Sequence, residues 1–418
     1  MLTDAEPFLQ RIRAFPDDDV PRLIFADWLE EQGGANVARA TFIRVQVAIA
    51  GLPEEDARRP KLVLAEQKLL ETHRDEWEAP FRRLATGPVF RRGFVDEVNV
   101  TARQFLQHTH ELFAAGPVRH LHLIEVGGNL QTIMQSPYLS RLSALSLFAL
   151  HAGEPLARAV ARSPHLTGLQ ELHLGRNRLG DEAAEYLAGS PILGNLEVLD
   201  LSENNLGETG ARALAASPHF GKLRCLDLRH NPLGPAGAES LAGSDRLTSL
   251  HRLVLAGNEI GVPRLHSLAR ISDLLFVPSL DLTGNNLTPA GLKTILTRPH
   301  GNAATIRLRE LDLSHNDLGE VGARVLAASP TLDGLKRLRL AGCGIPDEGA
   351  RILAHSPHLN RLVAIDLGNN PVGDPGFRGF LETPYLRGLR RLVVPGVGVS
   401  LQIQRALDQR FHRGLTRF

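Results

Sequence analysis

The stretch LEVLDLSENNLGETGARALAASPHFGK, residues 196–222, changes its periodicity half-way along. In the first part Leu196, Leu199 and Leu201 fall on one side of an extended segment, because successive side chains of a strand alternate between faces, and Val198, Asp200 and Ser202 fall on the other. In the second part Gly210, Ala211, Leu214 and Ala215 recur at helical intervals, and Ser217-Pro218 stops the helix, since the residue before a proline is pushed out of the α region. Between the two stands Asn204, whose amide can satisfy backbone groups freed where the chain leaves the strand. The stretch predicts one strand, one turn and one short helix sharing an apolar side.

The frame returns along most of the chain. Versions of Leu-x-x-Leu-x-Leu begin at Val95, Val118, Leu142, Leu169, Leu196, Leu223, Leu250, Val277, Leu308, Leu335, Leu362 and Leu389. The intervals are 23 and 24, then 27 throughout, apart from one of 31 that carries four extra residues near His300 to Thr305. The ninth position holds Asn177, Asn204, Asn231, Asn258, Asn285, Asn316 and Asn370, with Cys343 in the coil that starts at Leu335. These eight are expected to form a structural ladder. Ser190-Pro191, Ser329-Pro330 and Ser356-Pro357 repeat the helix stop. A helix is about 10 Å wide while strands pair at about 4.8 Å, so stacked units splay on the helical side and curve. Each coil buries its leucines only against its neighbours, so the two ends need caps.

The 27-residue frame and the Gly-Ala-x-x-Leu-Ala helix resemble the ribonuclease-inhibitor-like subfamily of leucine-rich repeats over residues 95–400. The resemblance implies an α/β fold: a right-handed solenoid, horseshoe-shaped, with a parallel sheet on the concave face and helices on the convex one. It also implies protein binding, although the fold dictates no particular target.

Residues 1–50 read as a small all-helical domain, residues 51–94 as a linker and helix leading into the N-terminal cap, and residues 401–418 as a C-terminal capping helix. Thr3 with Glu6 makes a candidate capping box for a helix through Ala14, and Pro16-Asp17-Asp18-Asp19 a turn that caps a second from Val20 to Glu31. A third runs near Val37–Ala50 and a fourth over Lys61–Glu78. The three aspartates lack the spacing and ligand number of a calcium loop, so the turn is read as a cap. Asp27 beside Trp28 is read as orienting a neighbour, and His73 as solvated. The segments Glu6-Pro7-Phe8-Leu9, Pro16-Asp17-Asp18, Arg22 to Glu31 and Arg39 to Gln46 resemble the bacterial repeat-companion domain found at the N-termini of repeat proteins. That resemblance supplies architecture rather than an activity.

A net charge of +1 over 418 residues gives no reason to expect nucleic acid or a membrane as partner. The acidic start Met1 to Glu6 lacks the basic residues of a signal peptide, and no apolar run approaches the roughly 20 residues of a membrane span, so a cytoplasmic protein is expected. Cys225 and Cys343 lie four coils apart, on the order of 19 Å at about 4.8 Å per strand, too far for a disulfide.

The third, fifth, seventh and eighth positions of each coil should face the hollow. The fifth carries Asp200, Asp227, Asp281, Asp312 and Asp366, an acidic stripe in which neighbouring charges repel and a basic ligand would relieve them. Arg176, Arg229 and Arg252 share the face and could neutralise it, and Arg337 and Arg339 are candidate anchors for a partner. Phe148 beside Ile124 is either a binding anchor or a patch covered by the N-terminal domain. His120, His122 and His173, with Glu171, share the face, but an intervening coil puts His173 about 10 Å from His122, too far for a common zinc. At the far end the ladder position becomes Val397, and Leu401, Ile403, Leu407, Phe411 and Leu415 make an apolar helix face, backed by Arg405, Arg410, Arg413 and Arg417.

The expectation is a non-enzymatic scaffold, monomeric and without cofactor or metal, that binds a partner protein through Phe148, His173, Arg176, Asp200, Asp227, Arg229, Arg252, Asp281, Asp312, Arg337, Arg339 and Asp366. An alternative is regulation of a GTPase, because the repeats also resemble those of Ran GTPase-activating proteins, or inhibition of an enzyme. The sequence contains no phosphate loop, nucleophile elbow or zinc signature.

Overall fold

The computed structural model describes residues 5–53, 56–261, 271–297, 306–395, 398–411 and 415–417. The chain forms two compact units, Met1–Leu150 with Ser163–His173, and His151–Arg162 with Leu174–Phe418. The Thr3 cap, the insertion at 300–305, Val397 and Arg413 lie outside the described residues.

In the first unit four helices come first: α1 (Glu6–Ala14), α2 (Val20–Gln32), α3 (Asn36–Ala50) and α4 (Arg59–Glu78). Three of them carry a proline in the first turn, where its missing N–H has no intrahelical partner to lose. Ile12, Phe25, Ala26, Leu29, Ala40 and Ile43 close a core on Phe94. Phe94 opens β2 (Phe94–Thr101), which pairs antiparallel with β1 (Thr86–Arg91). This hairpin adds to the linker and helix expected over 51–94, where α4 is the helix: without β1 the first parallel strand would present an unpaired edge. It is tied to α3. Gln46 accepts from the Gly93 N–H at 2.6 Å and donates to the Phe90 carbonyl at 3.2 Å. A Cβ on Gly93 would lie 2.5 Å from Ile43, at φ +88°.

The acidic turn does more than cap. Asp18 accepts from the Val20 N–H at 2.9 Å, but Asp19, at the N-cap, makes no side-chain cap bond and pairs with Arg92 at 3.2 Å. Asp17 pairs with Arg119 at 2.7 Å, and the Arg119 hydrogen bond holds its carboxyl below the usual range. Asp27 orients Arg44 at 2.6 Å. His73 is stacked on Trp77, ring centroids 5.1 Å apart, rather than solvated. α5 (Ala102–Ala115) leads to β3 (His120–Ile124), and the short α6 (Leu130–Met134) to β4 (Ala144–Ser146) and then β5 (Glu171–His173); these strands follow β2 in parallel register, with Val98, Leu121, Leu145 and Leu172 on one buried rung.

The second unit repeats strand and helix: α7 (Glu154–Ala161), α8 (Gly180–Ala188), β6 (Val198–Asp200), α9 (Glu208–Ala216), β7 (Cys225–Asp227), α10 (Gly234–Ala242), β8 (Arg252–Val254), β9 (Ser279–Asp281), α11 (Pro289–Ile295), β10 (Glu310–Asp312), α12 (Gly319–Ala327), β11 (Arg337–Arg339), α13 (Asp347–Ala354), β12 (Ala364–Asp366), α14 (Asp374–Glu382) and β13 (Arg391–Val394). Neighbouring strands are parallel, and Leu199, Leu226, Leu253, Leu280, Leu311, Leu338, Ile365 and Leu392 align on one rung. Leu196, Leu199 and Leu201 are buried, as the alternation requires.

Two ladders join the coils. In the first, Asn204 accepts from the Asn177 N–H at 2.8 Å and donates to the Leu174 carbonyl at 2.9 Å; Asn231, Asn285, Asn316 and Asn370 make the same bonds. Cys343 keeps half of this pattern, its thiol donating to the Leu313 carbonyl at 3.2 Å. The second ladder has no counterpart in the sequence reading. The hydroxyls of Ser190, Ser217, Ser356 and Thr383 donate at 2.5–2.7 Å to the carbonyls of Ala161, Ala188, Ala327 and Ala354, at the ends of the preceding helices. Read as a proline stop, the serine is also the residue that satisfies an orphan helix carbonyl.

The C-terminal capping helix needs correction. α15 (Leu401–Arg410) ends early, and β14 (Leu415–Arg417) pairs parallel with β13 and covers its edge. Ile403, Leu407 and Phe411 are buried while Leu401 is exposed. Arg410 donates to the carbonyls of Leu381 and Thr383 at the end of α14, so its guanidinium is engaged within the chain.

Candidate functional site

On the open face of the second unit, the fifth-position aspartates have a structural task. Asp200, Asp227, Asp281, Asp312 and Asp366 each accept, at 2.8–3.0 Å, from the backbone N–H two residues on: Ser202, Arg229, Thr283, Ser314 and Gly368. Each closes a turn where the strand ends. The three-residue strands are too short to continue the pairing, so a side chain takes the freed donor.

Much of the stripe's charge is matched within the face. Arg229 chelates Asp227 across both carboxylate oxygens, and that contact pushes the guanidinium pKa up. Arg176 pairs with Glu203 at 2.9 Å, Arg337 with Glu310, and Arg339 with Asp312 at 3.5 Å. Asp200 and Asp227 are register neighbours, as are Asp281 and Asp312. Among the described residues Arg252, Asp281 and Asp366 have no ion pair. The eighth position bends the chain: Arg176, Glu203, His230 and His315 hold φ of +53° to +58°. Gly257 and Gly342 take that place in the coils following His230 and His315, where a Cβ would meet the imidazole at 2.4 and 2.8 Å.

The two cysteines are free. Burial pushes the Cys225 thiol up, and the Cys343 thiol up to about 11. Neither is therefore an activated thiolate.

On the open face of the first unit Phe148 is 42% exposed and Ile124 39% exposed. Of the two readings of this patch, covering by the N-terminal helices is not seen; within this unit those helices close on Phe94 of the hairpin. Beside them His122 meets Glu97 at 2.9 Å, His120 lies 3.7 Å from Asp96, and His173 lies 3.7 Å from Glu171. Burial raises the Asp96 pKa and lowers that of His120, while His173 beside it lowers that of Glu171. Ala144 and Ser146 separate the two histidine groups and floor a slot of about 150 Å³. Among the described residues no group of three or more His, Cys, Asp or Glu is placed to hold a metal ion.

The family described as Leucine Rich repeat matches residues 165–188, 195–215, 222–242, 277–296, 308–327 and 335–354. These coils are leucine-rich repeats. Two solved structures align with the chain. A chain of the Rad7 and Elc1 complex in yeast aligns with a TM-score of 0.53 at 18% identity, covering 94% of this chain and 94% of its own, a likeness of fold alone. An internalin from Listeria monocytogenes aligns with a TM-score of 0.38 at 17% identity, covering 67% of this chain and 81% of its own. No curated protein matches the sequence. No helix among the described residues is long and apolar enough to cross a membrane.

Proposed function

We propose that this leucine-rich repeat protein is a non-enzymatic scaffold that binds a partner protein on the open face of its sheet. The observation that carries the reading is the fixed charge pattern of the second unit. Arg229, Arg337 and Arg339 are tied by ion pairs, and the aspartates by turn bonds, so the face offers ordered polar groups at little further entropic cost. Arg252, Asp281 and Asp366 remain open to a partner's charges, and in the first unit Phe148 and Ile124 offer apolar anchors. The Rad7 and Elc1 complex supports an interaction role for such a fold.

We assign the repeats to the ribonuclease-inhibitor-like type and residues 6–46 to the repeat-companion domain, with the array over residues 95–400 and a cytoplasmic location. The test is affinity capture from the native lysate with the wild type beside Phe148→Asp, Arg252→Glu and Asp281→Lys. A protein retained by the wild type and lost by these variants is expected. Identical captured sets would overturn the reading.

A further inference from the structure

A groove of about 730 Å³ lies within the first unit, between α1, α5, residues 116–119 and the turn at Pro137–Arg141. Three guanidiniums line it. Arg13 reaches Glu6 at 2.9 Å and the Ala114 carbonyl at 2.6 Å, bridging α1 to α5, and its Nε is buried without a partner. Arg119 is held by Asp17. Arg141 has no hydrogen bond or ion pair among the described residues; it lies over the rings of Tyr138 and Phe113, at 5.3 and 5.7 Å from their centroids. Those rings are themselves stacked at 5.5 Å.

The arrangement has an excess of cation. Arg13 and Arg119 are each matched by one carboxylate and Arg141 by none, so the groove carries about one uncompensated positive charge. The stacked rings order Arg141 without neutralising it, which leaves its planar fork of donors ready for a carboxylate. The volume falls in the range of roughly 300–1,000 Å³ typical of ligand pockets and greatly exceeds a single inorganic anion. Ala14 and Pro16 add apolar wall between the charges. A short chain of mixed acidic and aliphatic side chains fits both properties.

We propose that this groove seats an acidic peptide segment of a protein partner, with a carboxylate on Arg141 and aliphatic side chains against Ala14 and Pro16. It is a site apart from the sheet face and does not depend on that reading. The test uses the full chain and a fluorescein-labelled eight-residue peptide of alternating Glu and Leu, with the Gln and Leu version as control, read by fluorescence anisotropy. The Glu peptide should bind at least tenfold tighter than the Gln peptide. Arg141→Glu and the milder Arg141→Gln should each lose at least tenfold, with circular dichroism unchanged, while Arg252→Glu on the sheet face should bind as wild type does. Equal affinity for the two peptides, an undiminished affinity of Arg141→Gln, or displacement by inorganic phosphate at a lower concentration than by unlabelled peptide would each overturn the proposal.

Discussion

The side-chain oxygen of Asn231 accepts from the backbone N–H of Asn204, one coil earlier, at 2.9 Å. The same oxygen takes the Leu206 N–H at 3.0 Å, and the amide nitrogen donates to the Leu201 and Leu228 carbonyls at 3.0 and 2.9 Å. Asn231→Ala therefore strips three buried backbone groups of a partner at once, while the Leu228 carbonyl keeps the Asn258 amide at 2.9 Å. At about 1 kcal/mol or more for each, the loss should be about 3 kcal/mol in guanidinium unfolding. A loss under about 1 kcal/mol would mean that the turn re-pairs without the side chain.

The hydroxyl ladder predicts a smaller effect with a clear control. Ser217→Ala leaves the Ala188 carbonyl, bonded at 2.6 Å, without its donor and should cost about 1 kcal/mol. Ser217→Thr should be nearly neutral, because Thr383 fills the equivalent role on the Ala354 carbonyl at 2.5 Å. Thermal melts of the two variants separate a hydrogen bond from mere volume.

The strands, the helices and the asparagine ladder could be read from residues 196–222 because each coil repeats the same local chemistry, and repetition turns a weak signal into a strong one. What escaped the reading occurs once or lies between coils. β1 pairs Phe90 with Val95 and has no second copy among the described residues to reveal it, and β14 falls after the frame has decayed. Ser217 was visible at its recurring position, yet its bond runs 29 residues back to Ala188, a partner that only stacking brings near. On the open face the carboxylate of Asp281 was legible as a charge, whereas its bond to the Thr283 N–H appears only once the strand is known to end there.

Cys343 gives the protein an alkaline weakness. Its thiol keeps its proton to about pH 11 in the folded chain against an ordinary value of 9.0. Between these values the unfolded state has lost the proton while the folded state still binds it, so this contribution to stability falls as pH rises from 9 to 11 and is constant below 9. The full loss is about 2–3 kcal/mol. Cys343→Asn should restore the ladder and abolish that part of the slope, which urea unfolding of the two proteins at pH 8 and pH 10.5 would measure.

Gly257 tests the bend at the eighth position. Its φ is +64°, and a Cβ there would lie 2.4 Å from Nδ1 of His230. Gly257→Ala should destabilise by about 1–2 kcal/mol from backbone strain, with the ring contact added. Adding His230→Ala removes the contact and leaves the strain, so the double variant should recover part of the loss and no more. Full recovery in denaturant melts would place the whole cost in the ring contact.

Neutralising aspartates on the open face separates structure from recognition. Asp200 and Asp227 are register neighbours, and each accepts a backbone N–H two residues on, at 2.9 and 3.0 Å. An asparagine keeps that acceptor oxygen and loses only the charge, so Asp200→Asn with Asp227→Asn should change stability by less than about 1 kcal/mol. A partner drawn by the acidic stripe should bind the double variant at least tenfold more weakly and show a flatter salt dependence, since steering and complementarity rest on charge. Asp200→Ala with Asp227→Ala should lose the turn bonds as well and melt earlier. Unchanged affinity in the asparagine variant, measured by titration calorimetry with the captured partner, would remove the stripe from recognition and leave its aspartates as turn-closing residues alone.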